Sequence, residues 1–223
     1  MMTSTTAKFI VSQVGEIPQW QAATWEDYVA ACEDPSLEEA RIFFYEGYLW
    51  IDMGNEGPQH ARFNNLLTLV FYAWFVSKGG PAFDDLGGCV IEKPKVGGGA
   101  PDRILYIGGE FIQWQKGEPR RINLNQSRIP DLVVETSDTT LARDLDDKKR
   151  FYAALGIPEY WVVDIKGERV LAFRLQENGK YQECEISGAL EGLPIALLSE
   201  TLKLLGEGNG TAAMWFAQQI GKL

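Results

Sequence analysis

The sequence predicts a mixed α/β domain, with one mixed β-sheet flanked by helices on both faces and a β-hairpin near the N-terminus. Apolar residues recur at three- and four-residue steps over long stretches, which is the period of an amphipathic helix. Aromatic and β-branched runs bounded by turn residues separate those stretches and indicate strands. This alternation is typical of a mixed α/β architecture, and 223 residues are enough to bury one core.

The first third of the chain predicts a short helix, a hairpin and a long helix. Thr24, with the acid Asp27 three residues later, is typical of a capped helix start. Gly47 divides an aromatic-rich segment into two strands, and Gly79-Gly80 ends a helical period that begins after a turn at 55–58. The expected elements are a helix at 24–32, strands at 41–46 and 48–53, and a helix at 59–77.

The middle of the chain predicts strands around a glycine-rich turn. The run Gly97-Gly98-Gly99 is expected to be that turn. The polar, basic stretch 108–129 is expected to form a long loop or a partial hairpin, and Pro130 leads into a β-branched strand. The expected strands of this region span 88–93, 102–107 and 131–136.

The last third predicts a helix, a buried strand and two hairpins. Gly156 and Pro158 end the expected helix, and the almost wholly apolar run 159–164 fits a central strand covered on both faces. Lys166-Gly167 and Asn178-Gly179 indicate hairpin turns. The other expected elements are a helix at 141–155, strands at 169–175 and 180–187, and a helix at 211–220.

Charge and composition exclude several classes of protein. The net charge of −10 argues against tight, nonspecific binding of nucleic acid. Residues 93–128, with seven basic side chains against three acidic ones, are compatible with a local phosphate contact, although a solvated loop is the commoner meaning of such a segment. Three cysteines without a C-x-x-C spacing and a single histidine exclude a disulfide framework and thiolate or multi-histidine metal sites. The apolar runs are too short to span a bilayer and no secretion signal is recognised, so we expect a cytoplasmic protein without a membrane contact.

Three carboxylates are expected near one edge of the sheet. Asp102 and Asp131 each follow a proline at the start of a strand, and Glu135 lies at the far end of the second strand. Asp131 and Glu135 lie roughly 13 Å apart along that strand, which is too far to share one ion comfortably. Residues opposite each other on paired strands lie only about 4.5–5.5 Å apart. Asp102 and Glu135 are therefore the pair expected to converge on a metal ion.

The helix that follows adds a second charged pair. Asp144 and Lys148 are spaced i and i+4, which places them on one helix face. Two carboxylates and a lysine suit divalent-metal cleavage of a phosphodiester, because hard oxygens hold Mg²⁺ and an ammonium group stabilises charge at phosphorus. Taken singly, the same residues also fit an exposed helix ion pair and turn residues after proline.

Three blocks of the sequence closely resemble a known family. They are Ile-Pro-Asp-Leu-Val-Val-Glu at 129–135, Asp144-xxx-Lys148-xxx-Tyr152, and Gly-Ile-Pro-Glu-Tyr-Trp-Val-Val-Asp at 156–164. These blocks resemble the Uma family of restriction endonucleases, bacterial proteins abundant in cyanobacteria that belong to the PD-(D/E)xK nuclease superfamily. Residues 57–60 and 100–102 extend the resemblance, which covers about residues 24–203.

The resemblance implies a restriction-endonuclease-like fold and a catalytic set. It implies that Asp102 is the aspartate of the PD motif, that Glu135 is the (D/E) residue, and that both bind the metal ion, Mg²⁺ or Mn²⁺. Ser137 stands where the motif's lysine should follow Glu135, so the sequence resembles the variant in which that lysine has moved to the next helix, as Lys148. The chain then divides into a tail at 1–23, a nuclease-like domain at 24–205 and a C-terminal helix at 206–223.

Four further residues are supporting candidates. His60 stands at the family's position near a helix start, where it can touch phosphate, support a metal ligand or cap the helix. Glu46, beside the Gly47 turn, is either an extra metal ligand or a solvent-facing turn acid. Asp144 and Tyr152 share the helix face of the catalytic lysine, and Tyr152 fits packing better than catalysis.

The sequence therefore predicts a Mg²⁺-dependent endonuclease that cleaves phosphodiester bonds in DNA, with Asp102, Glu135 and Lys148 as catalytic residues. The alternative is a catalytically silent nuclease fold that serves as a binding or assembly module, which the acidic composition and Ser137 favour. A homodimer is also expected, because the aromatic residues of the hairpin exceed what one face of two strands can bury. These residues are Phe43, Phe44, Tyr45, Tyr48 and Trp50.

Overall fold

The computed structural model describes residues 20–54 and 57–223. Most of the expected tail at 1–23 and the first two residues of the expected turn at 55–58 lie outside the described residues. The described chain forms two six-stranded β-sheets with helices packed against them. The mixed α/β class is therefore confirmed, but two sheets replace the single sheet that the sequence predicts.

The N-terminal elements follow the sequence closely, apart from a two-residue strand that lies within the expected tail. They are β1 (Gln21–Ala22), α1 (Trp25–Cys32), β2 (Arg41–Tyr45), β3 (Tyr48–Asp52) and α2 (Pro58–Lys78). The expected capping box is present, because the Thr24 side chain accepts from Asp27 N and the Asp27 carboxylate accepts from Thr24 N. Glu46 and Gly47 both have positive φ, which suits a two-residue hairpin turn. Gly79, with φ of 60°, ends α2 as expected.

The remaining elements complete both sheets. The strands are β4 (Phe83–Gly87), β5 (Val90–Lys93), β6 (Gly97–Gly99), β7 (Arg103–Ile107), β8 (Arg121–Asn123), β9 (Leu132–Ser137), β10 (Glu159–Asp164), β11 (Arg169–Leu175) and β12 (Tyr181–Glu183). The helices are α3 (Leu141–Leu145), α4 (Asp147–Leu155), α5 (Ile195–Lys203) and α6 (Asn209–Ile220). The sequence did not predict β1, β4 or α5, and it placed β8 inside a loop.

The strand order brings distant segments side by side. The first sheet runs β1-β3-β2-β6-β5-β8 and the second runs β12-β11-β10-β9-β7-β4. In the second sheet β9 is antiparallel to β7, with Arg103 opposite Val134, and parallel to β10, with Glu135 opposite Val162. The start of β7 and the end of β9 therefore meet at one edge of this sheet.

The expected turn at Gly97-Gly98-Gly99 is wrong, because this run is strand β6, which pairs with β2 and β5. A Cβ atom on Gly98 would overlap the Tyr28 ring, and one on Gly99 would overlap the Phe43 ring. The side chains of α1 and of the hairpin therefore pack directly on the backbone of β6. Only glycine allows that approach, so a composition typical of turns occurs inside a sheet.

The single helix expected at 141–155 is interrupted at Asp146, where φ is −120° and ψ is −78°. The carbonyl oxygen of Asp144, which would accept from Lys148 N in a continuous helix, accepts a hydrogen bond from the Tyr160 hydroxyl at 2.9 Å. The tertiary contact with β10 thus accompanies the break between α3 and α4.

The helices α2 and α6 cover the second sheet on one face, and the first sheet together with α4 covers it on the other. On the helical face α2 and α6 share a core with this sheet, which includes Phe71, Trp161 and Phe216. The C-terminal helix that the sequence set apart at 206–223 therefore packs on the same core. Between the sheets, Phe43 and Val133 belong to a second cluster. No helix in the described ranges is long and apolar enough to cross a membrane.

The aromatic side chains of the hairpin are mostly buried within the chain itself. Phe43 and Trp50 face the space between the sheets, and Phe44 packs on Tyr28 of α1. Tyr48 is half exposed. Both faces of the hairpin are thus covered internally, so the aromatic excess no longer argues for a homodimer, which stays a prediction.

Candidate active site

A cleft of about 420 Å³ opens at the edge where β7 begins and β9 ends. Its walls come from the hairpin, the first turn of α2, the segment after β9, α3 and α4. Five of the side chains that line it are polar and central to the site: Arg41, His60, Asp102, Thr136 and Lys148. With Arg143 of α3, the cleft therefore gathers residues from both sheets and from three helices.

Asp102 and Glu135 face each other across neighbouring strands. The antiparallel register pairs Arg103 with Val134, and one further step along it places Asp102 opposite Glu135. Both residues are buried. The backbone N–H of Thr136 donates to Oδ2 of Asp102 at 2.7 Å, which ties the two strand ends together.

The helix α4 brings Lys148 onto Glu135. The Lys148 ammonium lies 2.9 Å from Oε2 of Glu135 and 3.0 Å from Oδ1 of Asp144. It also lies 4.7 Å from the centre of the Phe43 ring. Tyr152, one helical turn later, donates its hydroxyl hydrogen to Oε1 of Glu135. Lys148 and Tyr152 therefore both contact the buried Glu135 carboxylate, and Asp144 shares the Lys148 ammonium with it.

A closed ring of hydrogen bonds fixes Asp102 on its other side. His60 Nε2 lies 3.2 Å from Oδ2 of Asp102, and Asn64 Nδ2 lies 3.2 Å from His60 Nδ1. The Thr136 hydroxyl donates to Oδ1 of Asn64 at 2.9 Å, which orients the amide nitrogen toward the imidazole. His60 then donates from Nε2 to Asp102. Sequence reasoning missed Asn64 and Thr136, although the i, i+4 spacing from His60 to Asn64 was a usable signal.

Two arginines of the cleft were also missed. Nη1 of Arg41, the first residue of β2, lies 2.8 Å from Oδ1 of Asp102. The guanidinium of Arg143 lies over the Trp50 ring, 4.3 Å from its centre. Nothing in the local sequence marks either residue, because the hairpin and α3 meet the carboxylates only after the sheets have formed.

Burial and charge shift the pKa values of the site in different directions. Burial alone would raise the pKa of Asp102, but the hydrogen bond with His60 and the charge of Arg41 outweigh it and lower that pKa to about 2. Burial raises the pKa of Glu135 to about 8, which Lys148 opposes and the charge of Asp102 reinforces. Burial would lower the pKa of Lys148, but the carboxylates around it outweigh burial and raise that pKa above its ordinary value.

Three residues singled out in the sequence lie elsewhere or play another structural part. Glu46, in the hairpin turn, lines a separate pocket beside Trp20. Asp131 accepts hydrogen bonds from Ile107 N at 2.7 Å and from Arg128 at 2.6 Å, so it is engaged away from Glu135, as expected. Ser137 is buried at the end of β9, with its hydroxyl 3.5 Å from that of Thr140.

The basic segment 93–128 does not form one open basic surface. Arg103 lies 3.5 Å from Asp85, Arg121 lies 3.0 Å from Glu92, and Arg128 lies 2.6 Å from Asp131. Three of its seven basic side chains are therefore engaged in ion pairs within the chain.

The donor set fits a magnesium-type ion better than an all-protein cage. Among residues 20–54 and 57–223, no group of three His, Cys, Asp or Glu is placed to hold a metal ion. Mg²⁺ is commonly bound through one or two carboxylates, with water and phosphate oxygens completing its shell. Oδ1 of Asp102 is buried and lies 2.8 Å from Nη1 of Arg41, while Oδ2 accepts a hydrogen bond from the Thr136 N–H. Asp102 and Glu135 thus fit such an ion, which Mn²⁺ resembles in its ligand preference.

Comparison with known proteins identifies the family. The model of the Uma2 family, described as "Putative restriction endonuclease", matches residues 25–205. The chain belongs to the Uma2 family. A crystal structure described as a putative nuclease belonging to DUF820, from Anabaena variabilis, shares 15% identity with a TM-score of 0.57, over 80% of this chain and 98% of that one. At this identity the likeness shows the fold, and no curated protein matches the chain.

The comparisons confirm the resemblance read from the sequence. The Uma2 match covers most of the chain, including the helix α2, the carboxylate pair and Lys148. The family and the nuclease-like fold together support a nuclease role, and nucleic acid is the substrate class that such a family suggests.

Proposed function

We propose that this Uma2 protein is a Mg²⁺- or Mn²⁺-dependent endonuclease that hydrolyses phosphodiester bonds in DNA. In this proposal Asp102 and Glu135 hold the ion and Lys148 acts on the reacting phosphate. The observation that carries it is the register that places Asp102 opposite Glu135, with the Lys148 ammonium 2.9 Å from the glutamate. The placement of both carboxylates at one cleft in a family described as restriction endonucleases supports this assignment.

The chain's own groups prepare the carboxylates for this role. Asp102 is fixed through Oδ2 by His60 and the Thr136 N–H, so Oδ1 is the oxygen that would contact the ion. Glu135 is held by Lys148 and Tyr152. The chemistry that a bound divalent ion supplies here is acidification of the attacking water and neutralisation of charge at phosphorus.

Lys148 suits an electrostatic role rather than a basic one. Its pKa is raised, because burial is outweighed by the surrounding carboxylates, so the side chain stays an ammonium at neutral pH. A protonated lysine cannot accept a proton from water. It can stabilise the negative charge that develops on the phosphate oxygens, and it can orient the attacking water by donating hydrogen bonds.

A catalytically silent binding module is the second candidate. Two observations favour it: Arg41 and Lys148 already form ion pairs with the two carboxylates, and Ser137 occupies the motif's usual lysine position. A fold that had abandoned catalysis would keep such internal ion pairs, because they neutralise buried charge.

The deciding experiment compares cleavage by the wild type and three variants. Supercoiled plasmid and single-stranded DNA are incubated at low salt with Mg²⁺, Mn²⁺ or EDTA. Asp102→Asn and Glu135→Gln remove a candidate ligand each, whereas Asp131→Asn removes a strand-start carboxylate engaged with Arg128 outside the cleft. We expect metal-dependent cleavage by the wild type and Asp131→Asn, and none by the other two.

Two results would contradict the proposal. Cleavage that persists in Asp102→Asn would mean that another site or a contaminating nuclease is responsible. Absence of cleavage by the wild type, together with no binding of millimolar Mn²⁺, would favour the silent module.

A further inference from the structure

Arg41 holds the carboxylate oxygen that the proposed metal ion would use. Its Nη1 lies 2.8 Å from Oδ1 of Asp102, which is buried. The opposite oxygen, Oδ2, accepts from the Thr136 N–H and contacts His60 Nε2. Because Oδ2 is held at two points, the carboxylate cannot rotate to offer a different oxygen without breaking that ring.

Arg41 and a divalent ion compete for this oxygen. Mg²⁺ binds carboxylate oxygens at about 2.0–2.1 Å and keeps an ordered shell of water around it. A guanidinium nitrogen 2.8 Å from the same oxygen occupies part of the space that this shell needs. The two like charges also repel each other strongly in a partly buried site. Binding of the ion therefore requires Arg41 to move.

Arg41 can move, whereas Lys148 is enclosed. The Arg41 side chain is 31% exposed and lines the cleft, so a turn of its side chain moves the guanidinium toward the cleft mouth. Lys148 is 8% exposed and held between Glu135 and Asp144. The two cations of the site therefore differ in their freedom to leave a carboxylate.

We propose that Arg41 is an internal counter-ion that the metal replaces, and that the displaced guanidinium then binds a phosphate of the nucleic acid. This inference rests on the proposed metal-dependent function and adds a phosphate-binding residue to it. A guanidinium matches a phosphate by two parallel hydrogen bonds, and its position at the cleft wall places it beside the carboxylate pair. When the ion binds, Arg41 leaves Asp102 and becomes free to contact a phosphate of the nucleic acid. The phosphate contact therefore forms only after the ion is bound.

Arg143 provides the matched control. It lines the same cleft, but its guanidinium lies over the Trp50 ring rather than on a carboxylate. Removing either arginine removes one positive charge from the cleft. Only removal of Arg41 also removes a competitor for Oδ1 of Asp102.

The first measurement is calorimetric titration of Mn²⁺ into the full chain without nucleic acid. Arg41→Gln should bind Mn²⁺ at least about fivefold more tightly than the wild type, which is the lower end of typical coupling between competing sites. Arg41→Lys retains a cation, so its Mn²⁺ affinity should stay close to that of the wild type. The Mn²⁺ affinity of Arg143→Gln should also stay close to that of the wild type. Thermal melts of all four proteins check that they are folded.

The second measurement is binding of a short fluorescein-labelled oligonucleotide, in EDTA and in Ca²⁺, which replaces Mg²⁺ so as to limit cleavage. In EDTA, Arg41→Gln should bind the oligonucleotide as tightly as the wild type does. Without metal, Asp102 holds Arg41 in the wild type, so Arg41 makes no phosphate contact that the substitution could remove. In Ca²⁺ the wild type should bind about tenfold more tightly than Arg41→Gln, since one charge-assisted contact has been lost.

The outcomes separate this inference from the proposed function. If the wild type and Arg41→Gln bind Mn²⁺ with equal affinity, the proposed replacement of Arg41 by the metal ion is wrong, and the metal-dependent function stands. An equal gain in Mn²⁺ affinity in Arg143→Gln would also contradict the proposed replacement of Arg41 by the metal ion. General electrostatic repulsion between the cleft arginines and the ion would then explain the effect. If neither the wild type nor any variant binds Mn²⁺, the proposed function fails and the proposed replacement fails with it.

Discussion

The Tyr152 hydroxyl donates a hydrogen bond to Oε1 of Glu135, and both residues are buried. This contact joins α4 to the end of β9 beneath the cleft. It also lowers the pKa of Glu135 against the larger effect of burial, which raises it. The pair therefore links the packing of α4 to the charge of a candidate metal ligand.

Replacing Tyr152 with phenylalanine should raise the pH at which the protein binds Mn²⁺. Without the hydroxyl, the pKa of Glu135 rises further, and a metal ion binds the ionised carboxylate. Stability should fall by roughly 1–3 kcal/mol, because a buried acceptor loses its donor. Tyr181→Phe, which removes a hydroxyl that donates to Ile157 O at 2.7 Å, is the control. It should destabilise the fold without shifting Mn²⁺ binding, and an equal shift in both variants would contradict the assignment.

The metal-free protein should lose stability as the pH rises from 5 toward 8. Burial raises the pKa of Glu135 from 4.5 to about 8, so in this window the folded chain keeps a proton that the unfolded chain has released. Stability then falls with rising pH, because the folded state binds more protons than the unfolded state. Thermal melts in EDTA across this range measure how steeply stability falls with pH. The Glu135→Gln substitution should make this dependence weaker, and so should saturating Mn²⁺. A slope unchanged in Glu135→Gln would show that another group titrates.

At low pH the sign is the opposite for Asp102. Although burial opposes ionisation, the His60 hydrogen bond and the Arg41 charge lower the pKa of Asp102 from 3.8 to about 2. The stability that its ionised form contributes is present above pH 3.8 and is lost as the pH falls toward 2. In thermal melts recorded across this pH range, Asp102→Asn should reduce the loss of stability between pH 3.8 and pH 2.

Replacing Lys148 with methionine should slow cleavage about 100-fold or more, as expected for loss of a preorganised charge at the reacting phosphate. Mn²⁺ affinity should be equal or higher, because a positive charge beside Glu135 is gone. Unfolding should become easier by roughly 3–5 kcal/mol, since two buried carboxylates lose their shared partner. Lys149→Met is the control, because that ammonium lies 3.6 Å from the Phe173 ring centre rather than on a carboxylate.

The motif's usual lysine position offers a second test of the same role. Ser137 lies two residues after Glu135 on β9 and therefore on the same strand face. A Ser137→Lys substitution in the Lys148→Met protein should restore part of the cleavage rate if the ammonium acts on the phosphate. No recovery in a folded double variant would argue that Lys148 acts through α4 instead.

Replacing Gly98 with alanine should destabilise the chain by roughly 1–3 kcal/mol, the usual cost of overpacking. The new methyl group would overlap the Tyr28 ring inside the first sheet. Gly210→Ala is the control, because nothing lies within 4 Å of a Cβ at that helical position. It should change stability by less than about 1 kcal/mol. Denaturant titration of both variants measures the difference, and equal effects would contradict the packing of Tyr28 on β6.

The sequence by itself determined the elements whose signals are local. The capping box of Thr24 and Asp27, the positive-φ turn at Glu46 and Gly47, and the stop at Gly79 each depend on a few neighbouring residues. The strand Glu159–Asp164 has the bounds expected from its apolar run. The pairing of Asp102 with Glu135 was also predictable, because each lies at the end of a recognisable strand.

Only the tertiary structure decided which distant side chains complete the cleft. Arg41, Asn64 and Thr136 come from separate elements, and no spacing in the sequence relates the arginine to Asp102. The same reason explains the glycine strand β6, whose composition resembles a turn until Tyr28 and Phe43 are packed on it. Local patterns encode backbone conformation over a few residues. Contacts between remote segments depend on how the two sheets stack, which exists only once the chain has folded.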